Sequence, residues 1–273
     1  MTRHSYPIEH WSYSSLMSFL RNPLAWHKRY VEGVYDTPST PSSIIGRAGH
    51  AALQHFYGGM GKEAATELGM EYLRGVPDFE IDFGKADGPR LKRQKREQME
   101  REYLQAIYFY LLRPPRHKVL GIEVSAVAKV PGLPLPIKAI SDLVVESKGN
   151  PGALDIVDHK FVDSFSVLRG ADKPLFVLQA IFNYYTVREA FGKPVKRFIL
   201  QECKKRRNKD GRSQMRRYVI EYEKCAEEFA LFHRLLKEAS EEIARPRAYL
   251  PNPSDMFEGK NSFEIYRMNL GEH

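Results

Sequence analysis

At 273 residues, 42% of them hydrophobic, the chain suffices for one large domain or one domain with a helical elaboration, and no apolar run approaches a membrane span. Its formal net charge of +8 favours polyanionic partners, nucleic acid above all. Cys203 and Cys225 have no metal-type spacing, and the N-terminus lacks the apolar stretch of a signal peptide, so a soluble cytoplasmic protein in a reducing compartment is expected.

In chain order, Leu16, Phe19, Leu20, Trp26 and Tyr30 recur at helical spacing behind a cap at Ser12 or Ser14, with an interruption at Pro23. The Pro/Ser/Thr stretch from Thr37 to Ser43 reads as a loop. Helices are expected over Ile44 to Tyr57, carrying Gly46, His50 and Gln54, and over Lys62 to about Arg74. Val76 to Gly88, with Pro, Gly and three Asp residues, reads as a surface loop. A strongly basic start at Arg90 to Arg96 then opens a long helix that ends near Leu112, ahead of Pro114-Pro115.

The middle of the chain switches to strand character. Val119 to Val130 alternates and carries Glu123. Turns rich in Pro and Gly then lead into Ile140–Val145 and Leu154–Lys160, expected to be antiparallel neighbours. Pro174 to Phe191 reads as a mostly apolar helix. Arg197–Gln201 and Tyr218–Tyr222 read as strands around a very basic hairpin tip with Asp210-Gly211 as its turn. A last helix runs from about Cys225 to Ala244, before a Pro-rich tail. The order predicts an α/β (α+β) fold in one domain over 1–273. Its parts are a largely helical one over 12–118, a sheet core over 119–222, and a C-terminal helix and tail over 223–273.

The chemistry concentrates in two short strands. Asp142 lies in an apolar run, and Asp158 and Lys160, two residues apart, project to the same face of another. Charges in such strands are costly unless paired or bound to a metal. Phosphodiester cleavage calls for this combination: a hard divalent cation held by carboxylates, and a cation that steadies the attacking water or the transition state. The carbonyl of His159 would add a ligand. A surface salt bridge between Lys160 and one Asp is the structural alternative.

Taken together the motifs resemble PD-(D/E)xK nucleases, specifically the RecB-like branch that includes CRISPR-associated adaptation nucleases and AddB-type nuclease domains. Tyr13-Ser14-Ser15-Leu16 through Asn22-Pro23-Leu24-Ala25-Trp26 resembles the N-terminal Ser-rich helix and Pro motif of that branch. Gly46 to Leu53 resembles its Gly-x-x-x-His helix, and Ala139-Ile140-Ser141-Asp142 its Gly-x-x-Asp strand with Ala in the Gly place. Val157-Asp158-His159-Lys160 resembles its Asp-x-Lys strand, and Gln179 to Tyr184 its Gln/Tyr helix.

The resemblance implies a central mixed β-sheet of the restriction-endonuclease-like type, flanked by helices, with an N-terminal helical elaboration. It implies Mg²⁺ or Mn²⁺ bound by His50, Asp142 and Asp158, with Glu123 as a further candidate, and Lys160 as the catalytic lysine. Gln179 and Tyr184 would place a DNA strand, although Asn183 holds the position where the branch has its Tyr. Gly46 would admit a second backbone or the DNA close to the helix. Asn22 stands where iron–sulfur relatives carry their early Cys, and the tail has none, so no cluster is expected and apolar packing would hold the N-terminal helix and tail.

Lys204, Lys205, Arg206, Arg207, Lys209, Arg212, Arg216 and Arg217 would track phosphates from the basic hairpin, with the Arg90–Arg96 helix start as a second contact. Trp11, Tyr13 and Trp26 are candidates for base stacking or for the core. The expected function is a metal-dependent DNA nuclease, an exonuclease rather than an endonuclease, in recombination, repair, or phage or CRISPR DNA processing. A catalytically retired DNA-binding accessory protein and an RNA-directed hydrolase are the alternatives. A homo-oligomer or a recombination-protein partner stays open.

Overall fold

A computed structural model describes residues 6–35, 37–86, 88–166, 176–209 and 212–252. The chain enters through a two-residue strand, β1 (Trp11–Ser12), and then forms α1 (Tyr13–Arg21), α2 (Pro23–Trp26) and a π-helical turn over His27–Val31. Ser12 makes the helix start as its sequence suggests. Its hydroxyl accepts from the Ser15 N–H at 3.1 Å, and Ser15 Oγ in turn accepts from the Ser12 N–H at 2.9 Å. Asn22, at the early-Cys position, caps α2 by accepting from the Ala25 N–H at 3.1 Å.

Three helices follow: α3 (Pro41–Tyr57), α4 (Lys62–Gly75) and α5 (Pro89–Leu112). Helix α3 begins earlier than hydrophobic periodicity indicates, because Thr40 caps it through the Ser43 N–H and Pro41 suits its first turn. The expected loop over 76–88 is more than a surface excursion. It buries Ile81 and Phe83 under the helices, and Ser39 bridges Ile81 in parallel. The three helices share a core with Tyr103, Tyr110 and Phe161. At the α3–α4 crossing Gly69 is required, since a Cβ there would meet the Tyr103 hydroxyl and stand 2.6 Å from the Ala48 carbonyl.

The sheet contains β2 (Val119–Ala128), β3 (Ile137–Glu146), β4 (Leu154–Val162), β5 (Val195–Lys204) and β6 (Met215–Glu221), with α6 (Val177–Phe191) crossing between β4 and β5. Strands β4 and β5 run parallel, as a helical crossover requires, and β2–β3, β3–β4 and β5–β6 are antiparallel. The order is β1-β3-β4-β5-β6 with β2 on β3, a mixed six-stranded sheet flanked by helices in an α/β fold. The last described helix, α7 (Ala226–Ile243), packs Phe232 edge-on against Phe182 of α6. The Asp210-Gly211 turn, Pro174 and the chain beyond Asn252 lie outside the described residues.

One feature of the pairing positions the site. Strand β2 occupies one edge of β3 from Ile137 to Val145. The other edge is shared: β4 takes Leu143 to Glu146, and β1 takes Ile137 and Lys138. Between them, Ala139 to Asp142 have no strand on that edge among the described residues. Strand β4 meanwhile stays paired to β5 as far as Val162. Beyond Leu143↔Val157 the two strands therefore separate into a fork. Asp142 lines one arm, Asp158 and Lys160 the other, and β1 leads Tyr13 to its mouth.

The N-terminal segment is held as expected, by apolar packing. Trp11 and Trp26 stack at 5.7 Å, Phe19 meets Trp26 edge-on at 5.1 Å, and Tyr249 lies 5.6 Å from Trp26. Both tryptophans are fully buried, which resolves their use in favour of the core. Backbone bonds reinforce the tie. The Leu24 N–H donates to the Leu250 carbonyl at 3.3 Å, and Asn252 Nδ2 donates to the Arg21 carbonyl at 2.7 Å.

Candidate active site

On the β3 arm, His50 reaches down from α3 and places Nδ1 3.3 Å from Asp142 Oδ2. The same carboxylate oxygen accepts the His159 N–H at 2.7 Å, across the gap from β4. Glu123 joins them from β2. One donor atom each from His50, Glu123 and Asp142 lies within 4.8 Å of the others. Glu123 is also the only non-glycine residue with positive φ (48°) among the described residues. A side chain tolerates that conformation at a cost of about 1–3 kcal/mol, so the fold spends backbone strain to bring this carboxylate to the cluster.

On the β4 arm, Lys160 Nζ lies 2.8 Å from Asp158 Oδ2, and Gln179 Nε2 of α6 donates to Asp158 Oδ1 at 2.8 Å. Asn183, one turn after Gln179, locks the helix to the sheet. Its Nδ2 donates to the Gln179 carbonyl at 2.9 Å, and its Oδ1 accepts from Ser141 Oγ at 2.6 Å. The residue in the family's Tyr position thus has a positioning task. It ties α6 to the strand residue beside Asp142.

Behind the fork the His159 ring is buried and stacks on Tyr57, with ring centroids 5.9 Å apart and planes at 4°. Tyr110 lies with its hydroxyl 3.3 Å from His159 Nδ1 and 2.8 Å from the Tyr57 hydroxyl. This packing fixes the backbone whose N–H holds Asp142.

The electrostatics follow from burial and mutual charge. Burial opposes ionisation of Asp142, yet the charge and hydrogen bond of His50, with Lys160 nearby, hold its carboxyl well below the usual range. Asp158 goes the other way: burial and the Asp142 charge push its carboxyl up, against the pull of Lys160. Burial, then Asp142, likewise raises Glu123. Burial would lower His50 and Lys160, but the neighbouring carboxylates outweigh it and raise both. The His159 imidazole, deeply buried, drops to about 3 and is neutral at physiological pH.

The donor set fits a hard divalent cation. Two carboxylates and one imidazole converge, and Asp158 Oδ2 is buried next to Lys160 without accepting an aligned hydrogen bond. His50, Glu123 and Asp142 are the residues that would hold the ion, with Asp158 at the adjoining arm.

The structure distributes the remaining candidates unevenly. Gly46 has open space where a Cβ would be, so no other backbone approaches it; the packed glycine of α3 is Gly49, against the Phe161 ring. Tyr184 is not brought to the fork. It packs on Tyr222 at 4.8 Å and Phe229 at 5.0 Å, because a step of five residues from Gln179 turns it to another face of α6. Lys205 is not a phosphate-tracking residue: it is 1% exposed and donates to Ser42 Oγ at 2.6 Å and Asp163 Oδ2 at 3.0 Å.

Arg206 pairs with Glu102 at 2.5 Å, and Lys204 bonds Asn208. Arg207, Lys209, Arg212 and Arg217 are exposed, and Arg216 lies 4.6 Å from the Phe165 ring centroid. At the basic start of α5, Arg96 serves the fold, pairing with Asp78 and donating to the carbonyls of Leu73 and Val76. Tyr13 is half-buried beside Lys160 and Asp158, close enough to feel both charges. Ser141, Tyr57 and Tyr110 went unnoticed as site residues in the sequence, where they read as ordinary strand and helix positions, and Asn183 stood out there only as a residue in place of a Tyr.

A family model of the PD-(D/E)XK nuclease superfamily matches residues 10–256, and the chain belongs to that superfamily. No curated protein matches it. Among solved structures it is similar to a "Putative exonuclease" from Eubacterium rectale, at 12% identity and a TM-score of 0.47, covering 92% of this chain and 86% of that one. It is also similar to the protein SSO0001, at 14% identity and a TM-score of 0.32, with 92% and 93% covered. The protein is thus a nuclease by family, with a candidate metal cluster at the fork. No helix among the described residues is long and apolar enough to cross a membrane.

Proposed function

We propose that this protein hydrolyses DNA phosphodiester bonds with Mg²⁺ or Mn²⁺ and acts as an exonuclease. The observation that carries the catalytic reading is the fork itself. His50, Glu123 and Asp142 converge within 4.8 Å on one arm, and Lys160 stands 2.8 Å from Asp158 on the other. The exonuclease half rests on the RecB-like order of the motifs, Gly46/His50, Asp142, Asp158/Lys160 and Gln179. The net charge of +8 and the exposed Arg207, Lys209, Arg212 and Arg217 support a polyanionic substrate.

A divalent ion bound here would screen the scissile phosphate and lower the pKa of a water. Asp142, held as an anion in this cluster, would anchor it, and His50, Glu123, Asp158 and the His159 carbonyl are the further ligands we assign. Lys160 remains cationic between two carboxylates. It orients the attacking water and offsets charge that builds on the phosphate in the transition state. Gln179 holds Asp158 in the orientation that keeps Lys160 in place.

End-labelled linear and closed circular DNA, single- and double-stranded, offered with Mg²⁺, Mn²⁺ or chelator, tests the proposal. Degradation of linear DNA from an end, with circles spared and chelator abolishing it, is expected. Cutting of circles would remove the exonuclease reading, and inertness on every form would remove the activity.

A further inference from the structure

At the other end of α6 lies an open cavity of about 880 Å³ that the catalytic reading does not use. From Gln179 to Arg188 the helix rises about 13 Å. The cavity also borders Val195, which pairs with Leu154 at the start of β4, about 13 Å of strand before Asp158. It therefore opens at the end of the sheet opposite to the lysine.

Its lining is chemically particular. Tyr184 and Tyr185, both half-buried, form an aromatic wall backed by Phe229 and Tyr222. Arg188 stands next to it, donating to the Tyr184 hydroxyl at 3.3 Å with its guanidinium 6.0 Å from that ring. Lys129, Lys193 and Lys196 are exposed on the rim and form no ion pair among the described residues. Four cations thus face two carboxylates, Glu189 and Glu223. Concave sites of this size take small ligands or single units of a polymer. Aromatic walls take planar bases, and unpaired cations at their edge take phosphates.

We propose that this cavity is a second nucleotide site, remote from the metal cluster, which accepts a base against Tyr184 and Tyr185 and a phosphate on Arg188 and Lys193. The ligand chemistry is one nucleotide unit, either free or within a strand. The site gives Tyr184 a nucleic-acid task after all, away from the scissile bond, and it stands whether or not the fork cleaves DNA.

The test uses the full-length protein with chelator present, so that no cleavage enters. Amide NMR shifts are followed during titration with dAMP, and fluorescence anisotropy measures labelled oligo-dT. An Arg188→Glu/Lys193→Glu protein is compared with a Lys62→Glu/Lys237→Glu protein of equal net charge, altered at exposed positions elsewhere. We expect dAMP to shift resonances around Gly192 to Lys196, or the first variant to bind oligo-dT roughly tenfold more weakly than the control variant. Shifts without the oligo-dT effect point to a free nucleotide, and the oligo-dT effect without shifts to a strand. The proposal is overturned when dAMP shifts no resonance of this cavity and the two variants bind oligo-dT alike. A poly-glutamate peptide that shifts the same resonances as strongly as dAMP would also overturn it, in favour of an acidic protein partner.

Discussion

The two arms of the fork hold the same kind of group, a buried carboxylate, and treat it in opposite ways. On the β3 arm, Asp142 is stabilised as an anion by the His159 N–H and by His50. On the β4 arm, Asp158 is destabilised by burial and held by a lysine and an amide. The difference lies in where the compensating charge resides. Asp142 shares its cluster with a second carboxylate, Glu123, so the β3 arm carries surplus negative charge that a divalent ion would neutralise. The β4 arm brings its own cation. Under the proposed function, one arm would hold a metal and the other would keep a lysine at the reacting phosphate. Burial and the nearby Asp142 charge raise both Glu123 and Asp158.

The largest effect should come from disabling each arm in turn. Asp142→Asn is expected to remove both Mn²⁺ binding and cleavage, whereas Lys160→Met is expected to slow cleavage by roughly 10³-fold while Mn²⁺ affinity stays within about threefold. Calorimetry with Mn²⁺ and single-turnover cleavage on the same preparations decide it, and equal loss of metal in both variants would break the division of labour. A smaller effect is expected at the link between the arms. Gln179→Leu should cost about ten- to a hundredfold in rate, since it leaves the ligands intact and frees Asp158 to rotate; an unchanged rate would show that the amide is not needed.

Smallest is the contribution of the packing behind the fork. The folded-state pKa of His159 lies at about 3 against 6.5 for the free side chain, so the unfolded chain binds its proton first on acidification. Its contribution is fully present above about pH 6.5 and is lost as pH falls toward about 3, and His159→Gln should remove about one proton's worth of slope from stability against pH. Urea melts between pH 7 and pH 4 read this directly. An identical slope in the variant would mean that burial of the imidazole does not govern the acid limb.

Much of the fork was legible in the sequence for a physical reason. Asp142 and Asp158-x-Lys160 interrupt apolar strand patterns, and charges in such places need a partner. Helices α4 and α5, the antiparallel β3–β4 pair and a helix cap at Ser12 or Ser14 were equally legible, because they rest on local periodicity and on short-range hydrogen bonds. Elements that depend on distant chain were not. Strand β1 is two residues long and exists only because Ile137 and Lys138 offer it an edge. The early start of α3 hangs on a threonine cap inside a segment whose composition reads as loop.

Composition by itself determined the basic charge, and the order of motifs determined the nuclease family, since both are properties of the chain read in line. Tertiary structure alone decided the allocation of side chains among sites. It buried Lys205 beneath Ser42 and Asp163 while its neighbours Arg206 and Arg207 stayed exposed. It turned Tyr184 away from the fork toward a separate cavity, and gave Asn183 the bond to Ser141 instead. It also brought Glu123, through a strained backbone, to His50 and Asp142. A charged or aromatic residue announces its chemistry in the sequence, but the face it occupies depends on helix phase and on strands paired far away in the chain.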